Sequence, residues 1–502
     1  MIKNLKWLVL VSLTIVACNN NDDETTTDSN SIDGSPLTAG TANFSKYIAL
    51  GNSLTAGYCD SALFIEGQKG SYTNILSQQF ALVGGGEFKI PFMADNIGGF
   101  NSGGVQIPQF GPRLYLVTPP GAQPYPTPVS GVSGTSISAV LTGPFNNMGV
   151  PGAKSFHLIT PGYGTLNPYF GRFASSPSTT VLADAVAQEA TFFSLWIGNN
   201  DVLAYATSGG IGTNQTGNYN PATYGNNDIT DPVVFENAYK ALLSGTSGLT
   251  KNGAQGVVAN IPYVNSIPYF TTVPYNPVPL DAATASLLNG PGGYGPYNAG
   301  LQSLKNAGLL SEEERARRTI VFQAGATNAV VMIDEYLTDL TIYNPGLKNY
   351  RQATKEDYLV LTSRSFIGTT VGGNPMLING VSVPLADNWV LSKTEVAELK
   401  IATDAYNVAI KTLAGEYKLA FVDANKVLSD VASPLGLASN GFTMRSTYVS
   451  GGAFSLDGVH PSPRGYALIA NEFMKAINIK YGSNFKGVNL GNYRILYPQA
   501  LP

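Results

Sequence analysis

Two short segments near opposite ends of the sequence hold residue types that can act together on a bond. Asp457-Gly-Val-His460-Pro461 sets a carboxylate three residues before an imidazole. One short turn can aim both side chains the same way, the carboxylate accepting from one ring nitrogen while the other is left to take a proton. The chain has only 2 histidines, so candidates for a general base working near neutral pH are few. The nucleophile to match them is Ser53, in Ile48-Ala-Leu-Gly-Asn-Ser53-Leu-Thr-Ala-Gly57. Thr55 stands where the second glycine of G-x-S-x-G would fall, which argues against the nucleophile elbow of α/β-hydrolases. Taken alone, Ser53 reads equally well as a helix N-cap; Asp457 and His460 make it a nucleophile.

Between these segments lie two blocks suited to hold a developing oxyanion. Asn147-Met-Gly149-Val-Pro-Gly152 reads as a tight turn whose glycine N–H can approach a ligand with no Cβ in the way. Gly198-Asn-Asn200-Asp201 follows an apolar run, so its amide side chain is expected on the same sheet edge as Ser53. The Ser53 N–H, the Gly152 N–H and the Asn200 amide would then form a three-donor hole. His157, with no Asp-x-x-His spacing around it, is expected to be structural or to touch substrate rather than act as the base. Asp201 is expected to buttress its turn.

These four blocks together resemble the SGNH/GDSL hydrolase family, which carries Ser in a GDS(L) block, Gly in a second, Asn in a GxND block and Asp-x-x-His near the C-terminus. The matching positions are Ser53, Gly152 (with Gly149 the alternative), Asn200, and Asp457 with His460, in the family's order. One departure is Asn52, where the family usually has Asp. The resemblance implies a three-layer α/β/α sandwich with a mostly parallel, flavodoxin-like sheet. It also implies a serine ester hydrolase of the GDSL-like lipase/esterase kind, with catalytic Ser53, Asp457 and His460 and an oxyanion hole of Ser53, Gly152 and Asn200. No metal or cofactor is expected. The expected substrate is an acyl ester, either a lipid or an O-acetylated extracellular glycan. A non-catalytic, glycan-binding surface protein is the alternative from another class.

The elements that must position these residues are legible as alternating strands and helices. Apolar runs at 47–50, 191–197, 256–259 and 419–422 each stop at a Gly, Asn or Asp, as buried parallel strands do. Asp231-Pro232, the capping box Ser392/Glu395, and Ser462-Pro463 open amphipathic helices. Apolar runs alternating with such helices predict a parallel sheet covered on both faces. The core is expected over 41–482, with loop-rich insertions at about 61–146 and 277–391 that build pocket walls, and a tail over 483–502. In the second insertion Ser311-x-x-Glu314 predicts a helix start.

The start of the chain speaks to compartment. Lys3 and Lys6 precede an apolar run over 7–17 that is too short to span a bilayer and ends in Ile15-Val16-Ala17-Cys18. This resembles a lipoprotein signal peptide (1–17) with Cys18 as the lipidated residue. The polar, acidic stretch that follows is expected as a disordered tether over 18–40. An exported protein, lipid-anchored to a bacterial outer membrane and open to the cell surface, is therefore expected. Cys59 is then left without a disulfide partner and is expected to be buried. Only 12% of the 502 residues are charged and the net charge is −4. With no Lys/Arg cluster in the sequence, nucleic acid is not an expected partner.

Overall fold

The computed structural model describes residues 31–501; the expected signal peptide, Cys18 and the tether up to residue 30 lie outside the described residues. Its centre is a parallel five-stranded sheet. The strands are β1 (Tyr47–Gly51), β2 (Asn147–Gly149), β3 (Phe192–Trp196), β4 (Gln255–Ala259) and β5 (Ala420–Val422). Their spatial order is β5-β4-β3-β1-β2, so chain order reverses between β1 and β3. In open α/β sheets that switch point, at the carboxyl ends of the strands, is where ligands bind. Four strands fall on the expected apolar runs. β2 differs: its segment was expected as a turn, because Met148 is the lone aliphatic side chain among Asn147, Met148 and Gly149.

Strand alternation divides the core in two. Ile48 and Leu50 of β1 and Phe193 and Leu195 of β3 face one hydrophobic cluster, whereas Tyr47, Ala49, Phe192 and Trp196 face the other. The first cluster is closed by α3 (Asn200–Thr207), α4 (Pro232–Leu243) and α5 (Lys393–Glu416), after a short α1 (Ser53–Ala56) that caps the sheet edge. Phe235 of α4 stacks on Tyr406 of α5 at 4.2 Å between ring centroids. The second cluster is closed by α2 (Tyr72–Ala81) and α7 (Pro463–Tyr481), while α6 (Ala424–Ala432) contributes Leu428 to one face and Val431 to the other. The result is the expected α/β/α arrangement in three layers.

The helix starts follow the capping signals. Asp231 Oδ1 accepts from the Val233 and Val234 N–H groups. Ser392 and Glu395 form a reciprocal capping box at the start of α5, and the Ser462 hydroxyl accepts from the Gly465 N–H ahead of α7. Each such cap contributes about 1 kcal/mol.

The region 277–391 builds a hydrophobic cluster of its own, with Leu301, Ile320, Val330 and Leu340 at its centre. A buried ion network ties it together: Arg351 donates to Asp334 at 2.5 Å and to both oxygens of Asp357 at 2.6 and 2.7 Å. Residues 31–40 lie against the end of the chain, where Ser31 bridges to Phe485 and the Thr38 N–H donates to Asn484. Among the described residues, no helix is long and apolar enough to cross a membrane.

Candidate active site

The ends of β1, β2 and β3 are level, because Gly51 pairs with both Gly149 and Trp196. The chain therefore leaves the sheet at one height three times, and Ser53, Gly152 and Asn200 follow within a few residues. Ser53 opens α1, with Asn52 as N-cap accepting from the Leu54 N–H at 3.0 Å. As the first residue of the helix, Ser53 has a backbone N–H with no intrahelical acceptor. Asn52 also donates to Asn199 Oδ1 at 3.2 Å, which joins the starts of α1 and α3.

His460 reaches Ser53 from the loop before α7. Its Nε2 lies 2.9 Å from Ser53 Oγ and its Nδ1 lies 2.9 Å from Asp457 Oδ2. A carboxylate can only accept, so Nδ1 carries the proton and Nε2 offers its lone pair to the Ser53 hydroxyl. Ser53 is 7% exposed, so this pair of contacts sits at the bottom of a depression rather than on open surface. The Tyr58 ring packs beside the imidazole, 4.6 Å between centroids.

Asp457 is held on both oxygens. Oδ1 accepts from Ser455 Oγ and from the Val459 and His460 N–H groups, and Oδ2 accepts from the Ser61 N–H as well as from His460. Burial opposes its ionisation, but His460 and these donors outweigh burial and hold the carboxyl down to about 2.

Ser61 belongs to a turn that sequence reading did not single out. Cys59 and Ala62 exchange backbone hydrogen bonds at 3.1 and 3.0 Å, while Asp60 and Ser61 between them have φ of 51° and 65°. Two positive φ values in a two-residue loop are the mark of a type I′ turn. Asp-Ser is a weaker signal for that turn than Asn-Gly, which is why the sequence hid it. The buried Asp60 accepts from the Leu456 N–H at 2.8 Å, and its own N–H donates to Ser455 Oγ. Non-glycine residues held at positive φ store roughly 1–3 kcal/mol each and persist where surrounding contacts over-determine them. Cys59 itself is buried, and burial pushes its thiol well up, away from the reactive thiolate.

The two glycines of the second block have separate jobs. A Cβ on Gly149 would lie 2.3 Å from the Ala56 nitrogen, and its N–H is taken by Asn147 Oδ1 at 3.0 Å. Gly149 is thus the surface on which α1 rests. Gly152 has φ of +81°, only the Asn167 amide nitrogen lies near the place of a Cβ, at 3.9 Å, and its N–H has no acceptor among the described residues. Asn200 donates one amide hydrogen to the Ala153 carbonyl at 2.9 Å, which fixes its side chain and leaves the second hydrogen unspent. Asp201 is fully buried and accepts from the Ser155 N–H and hydroxyl, a buttress between the two blocks.

His157 stands apart from this cluster. Its Nδ1 accepts from the Lys154 N–H and its ring stacks on Tyr163 at 4.5 Å, while burial and then Lys154 lower its pKa to about 4. It is a neutral packing histidine at physiological pH.

Two spaces meet at Asn200, Leu203, Val459 and His460. One is a cavity of about 110 Å³ whose walls, apart from Ser53, His460 and the amides of Asn199 and Asn200, are apolar: Trp196, Ile267, Val427, Leu428, Leu468 and Ile469 among them. The other is an open cleft of about 920 Å³ with Gln123, Tyr125, Thr362, Arg364 and Tyr448 on its rim, contributed in part by both insertions. Compared with known proteins, the chain matches no family model, no curated protein and no solved structure.

Proposed function

We propose that this protein is a serine ester hydrolase in which Ser53, His460 and Asp457 form the catalytic triad. The observation that carries the reading is the continuous hydrogen-bonded relay from Asp457 through His460 to Ser53 Oγ, set at the switch point of a parallel sheet. Ser53 Oγ attacks the ester carbonyl carbon as His460 Nε2 takes its proton. The negative charge that develops on the carbonyl oxygen is met by the Ser53 and Gly152 N–H groups and by Asn200. Collapse breaks the ester C–O bond, and His460 returns the proton to the departing alcohol. Water, deprotonated by the same nitrogen, then attacks the acyl-Ser53 ester; the C–Oγ bond breaks, His460 gives that proton to Ser53 Oγ, and the carboxylic acid leaves.

The apolar cavity beside Ser53 supports a lipid or other long-chain acyl ester as substrate. A space of that size could hold several waters by volume, yet its walls offer them few partners, so a hydrocarbon chain is the better occupant. The polar rim of the open cleft supports a second reading, an O-acetylesterase in which that cleft holds the glycan and the apolar cavity is unused. Both readings suit the export and Cys18 anchoring proposed from the sequence, which would put the enzyme at a membrane surface facing lipids and extracellular glycans alike.

Labelling by a fluorophosphonate probe tests the activity. Ser53 in the intact protein should be modified, and Ser53→Ala should be unlabelled and lose on the order of 10⁶ in kcat on a nitrophenyl ester. Wild-type protein that takes no label and hydrolyses no ester would leave a glycan-binding role in place of catalysis.

A further inference from the structure

Far from Ser53 along the chain, three carboxylates converge where region 277–391 meets the core. Glu335 and Asp387 come from that region and Glu395 from the first turn of α5; each places an oxygen within 4.8 Å of the others. Among the described residues, no lysine or arginine forms an ion pair with them: Arg317 and Arg351 are engaged by Asp334 instead.

Glu395 adds an observation that clustering alone does not give. It is fully buried, and its Oε2 is occupied by the Ser392 N–H at 2.6 Å. Its Oε1, equally shut off from solvent, has no hydrogen-bond partner among the described residues. A bare carboxylate oxygen costs several kcal/mol in such surroundings unless something positive reaches it. Gly210, at φ +88°, packs its backbone against this carboxylate so closely that a Cβ there would fall 1.8 Å from Oε1, and it offers no hydrogen bond in return. Burial is graded across the cluster, from buried Glu395 through Asp387 to exposed Glu335, which leaves an approach from solvent on the Glu335 side.

We propose that Glu335, Asp387 and Glu395 bind a hard divalent cation, Ca²⁺ by preference, that clamps the 277–391 region to the core. Carboxylate oxygens are the ligands such cations choose, and Ca²⁺ takes six to eight oxygens at about 2.3–2.6 Å in adaptable geometry. Three carboxylates supply part of that shell and waters complete it through the open side. The clamp joins Asp387 and Glu335 to α5 and to the Gly209–Gly210 turn that follows α3, the helix beginning at Asn200. It is independent of the hydrolase reading.

The full chain, stripped with a chelator, tests the site by thermal unfolding and by sensitised luminescence of Tb³⁺, for which Tyr205 and Tyr336 beside the cluster are donors. Millimolar CaCl₂ should raise Tm by about 1–2 °C at neutral pH, the shift that ligand excess over an extracellular-type affinity gives in a chain of this length. Tb³⁺ should luminesce and be displaced by Ca²⁺. Glu395→Gln keeps the capping-box chemistry of α5, and Asp387→Asn keeps its shape, so both should fold and lose both responses. Absence of any Ca²⁺- or Mg²⁺-dependent shift in the wild type would overturn the proposal in favour of shared protons. A Ca²⁺ response that survives both substitutions would overturn the placement.

Discussion

The Ser61 N–H donates to Asp457 Oδ2, the same oxygen that receives the His460 Nδ1 proton. Asp457 is thus gripped from the type I′ turn after α1 as well as from its own loop, and that turn lies eight residues after Ser53. Ser53 and Asp457 are thus positioned by one stretch of chain.

Asp457→Asn should therefore fail in a specific way. The Val459 and His460 N–H groups demand an acceptor on the Oδ1 side, which turns the amide NH₂ toward His460 Nδ1. The imidazole then accepts there, and its proton moves to Nε2, where it cannot take the Ser53 proton. We expect kcat to fall by about 10⁴ with little change in KM. A loss below tenfold in steady-state ester hydrolysis would remove Asp457 from this role.

Stability should respond to pH in opposite senses at two neighbouring carboxyls. Asp457 is held down to about 2 from 3.8, so its contribution is present above about pH 4 and is lost as pH falls toward 2. Asp60 is raised from 3.8 to about 7, first by burial and then by Asp457, against the Leu456 N–H and Arg113. The folded state therefore binds its proton more tightly than the unfolded state, and this term weakens stability as pH rises from about 4 to 7. Asp60→Asn keeps an acceptor for Leu456 and carries no charge, so urea midpoints should decline less across that range than in the wild type. Parallel profiles would show that Asp60 is ionised and satisfied in the fold.

Gly152 and Gly149 should separate under alanine substitution. Gly152→Ala makes only an ordinary contact with the Asn167 amide but holds alanine at a left-handed φ, costing about 1–2 kcal/mol of stability. It should lower kcat more than it raises KM, as expected of a donor that acts in the transition state. Gly149→Ala drives a methyl into the backbone of α1 and should lower Tm steeply or prevent folding. Asn200→Ala should cost roughly 10²–10³ in kcat. A Gly149→Ala variant that folds with wild-type stability and lacks activity would transfer the oxyanion role to Gly149.

What could be read from the sequence was whatever local chemistry dictates. The strands at 47–51 and 192–196 announce themselves by continuous apolar runs, and α5 and α7 by their caps. Asn147–Gly149 does not, since the side chain of Asn147 is satisfied by the Thr55 carbonyl and Thr73 hydroxyl, partners distant in sequence. The Cys59–Ala62 turn was hidden for a related reason: its positive φ values are enforced by contacts to Ser455 and Leu456 near the other end of the chain. Spacing pointed to Asp457 and His460 because they meet across one turn, whereas Glu335, Asp387 and Glu395 meet only through the packing of an insertion on the core.

Acyl-chain length offers the sharpest test of which space holds the substrate. Val427 is a half-buried wall residue of the apolar cavity, on α6 and away from the relay, so a larger side chain there should shorten the cavity without disturbing Ser53. Each methylene transferred from water into that cavity contributes about 0.8 kcal/mol, or about fourfold in kcat/KM. A nitrophenyl ester series should therefore climb from acetate through hexanoate in the wild type. Val427→Trp should flatten the climb for the longer chains and leave acetate nearly unchanged. If acetate is already the best substrate and Val427→Trp alters nothing, the chain does not enter this cavity. The open cleft, with Arg364 and Tyr448 on its rim, then becomes the part of the site that selects the substrate, and the O-acetylesterase reading replaces the lipid one.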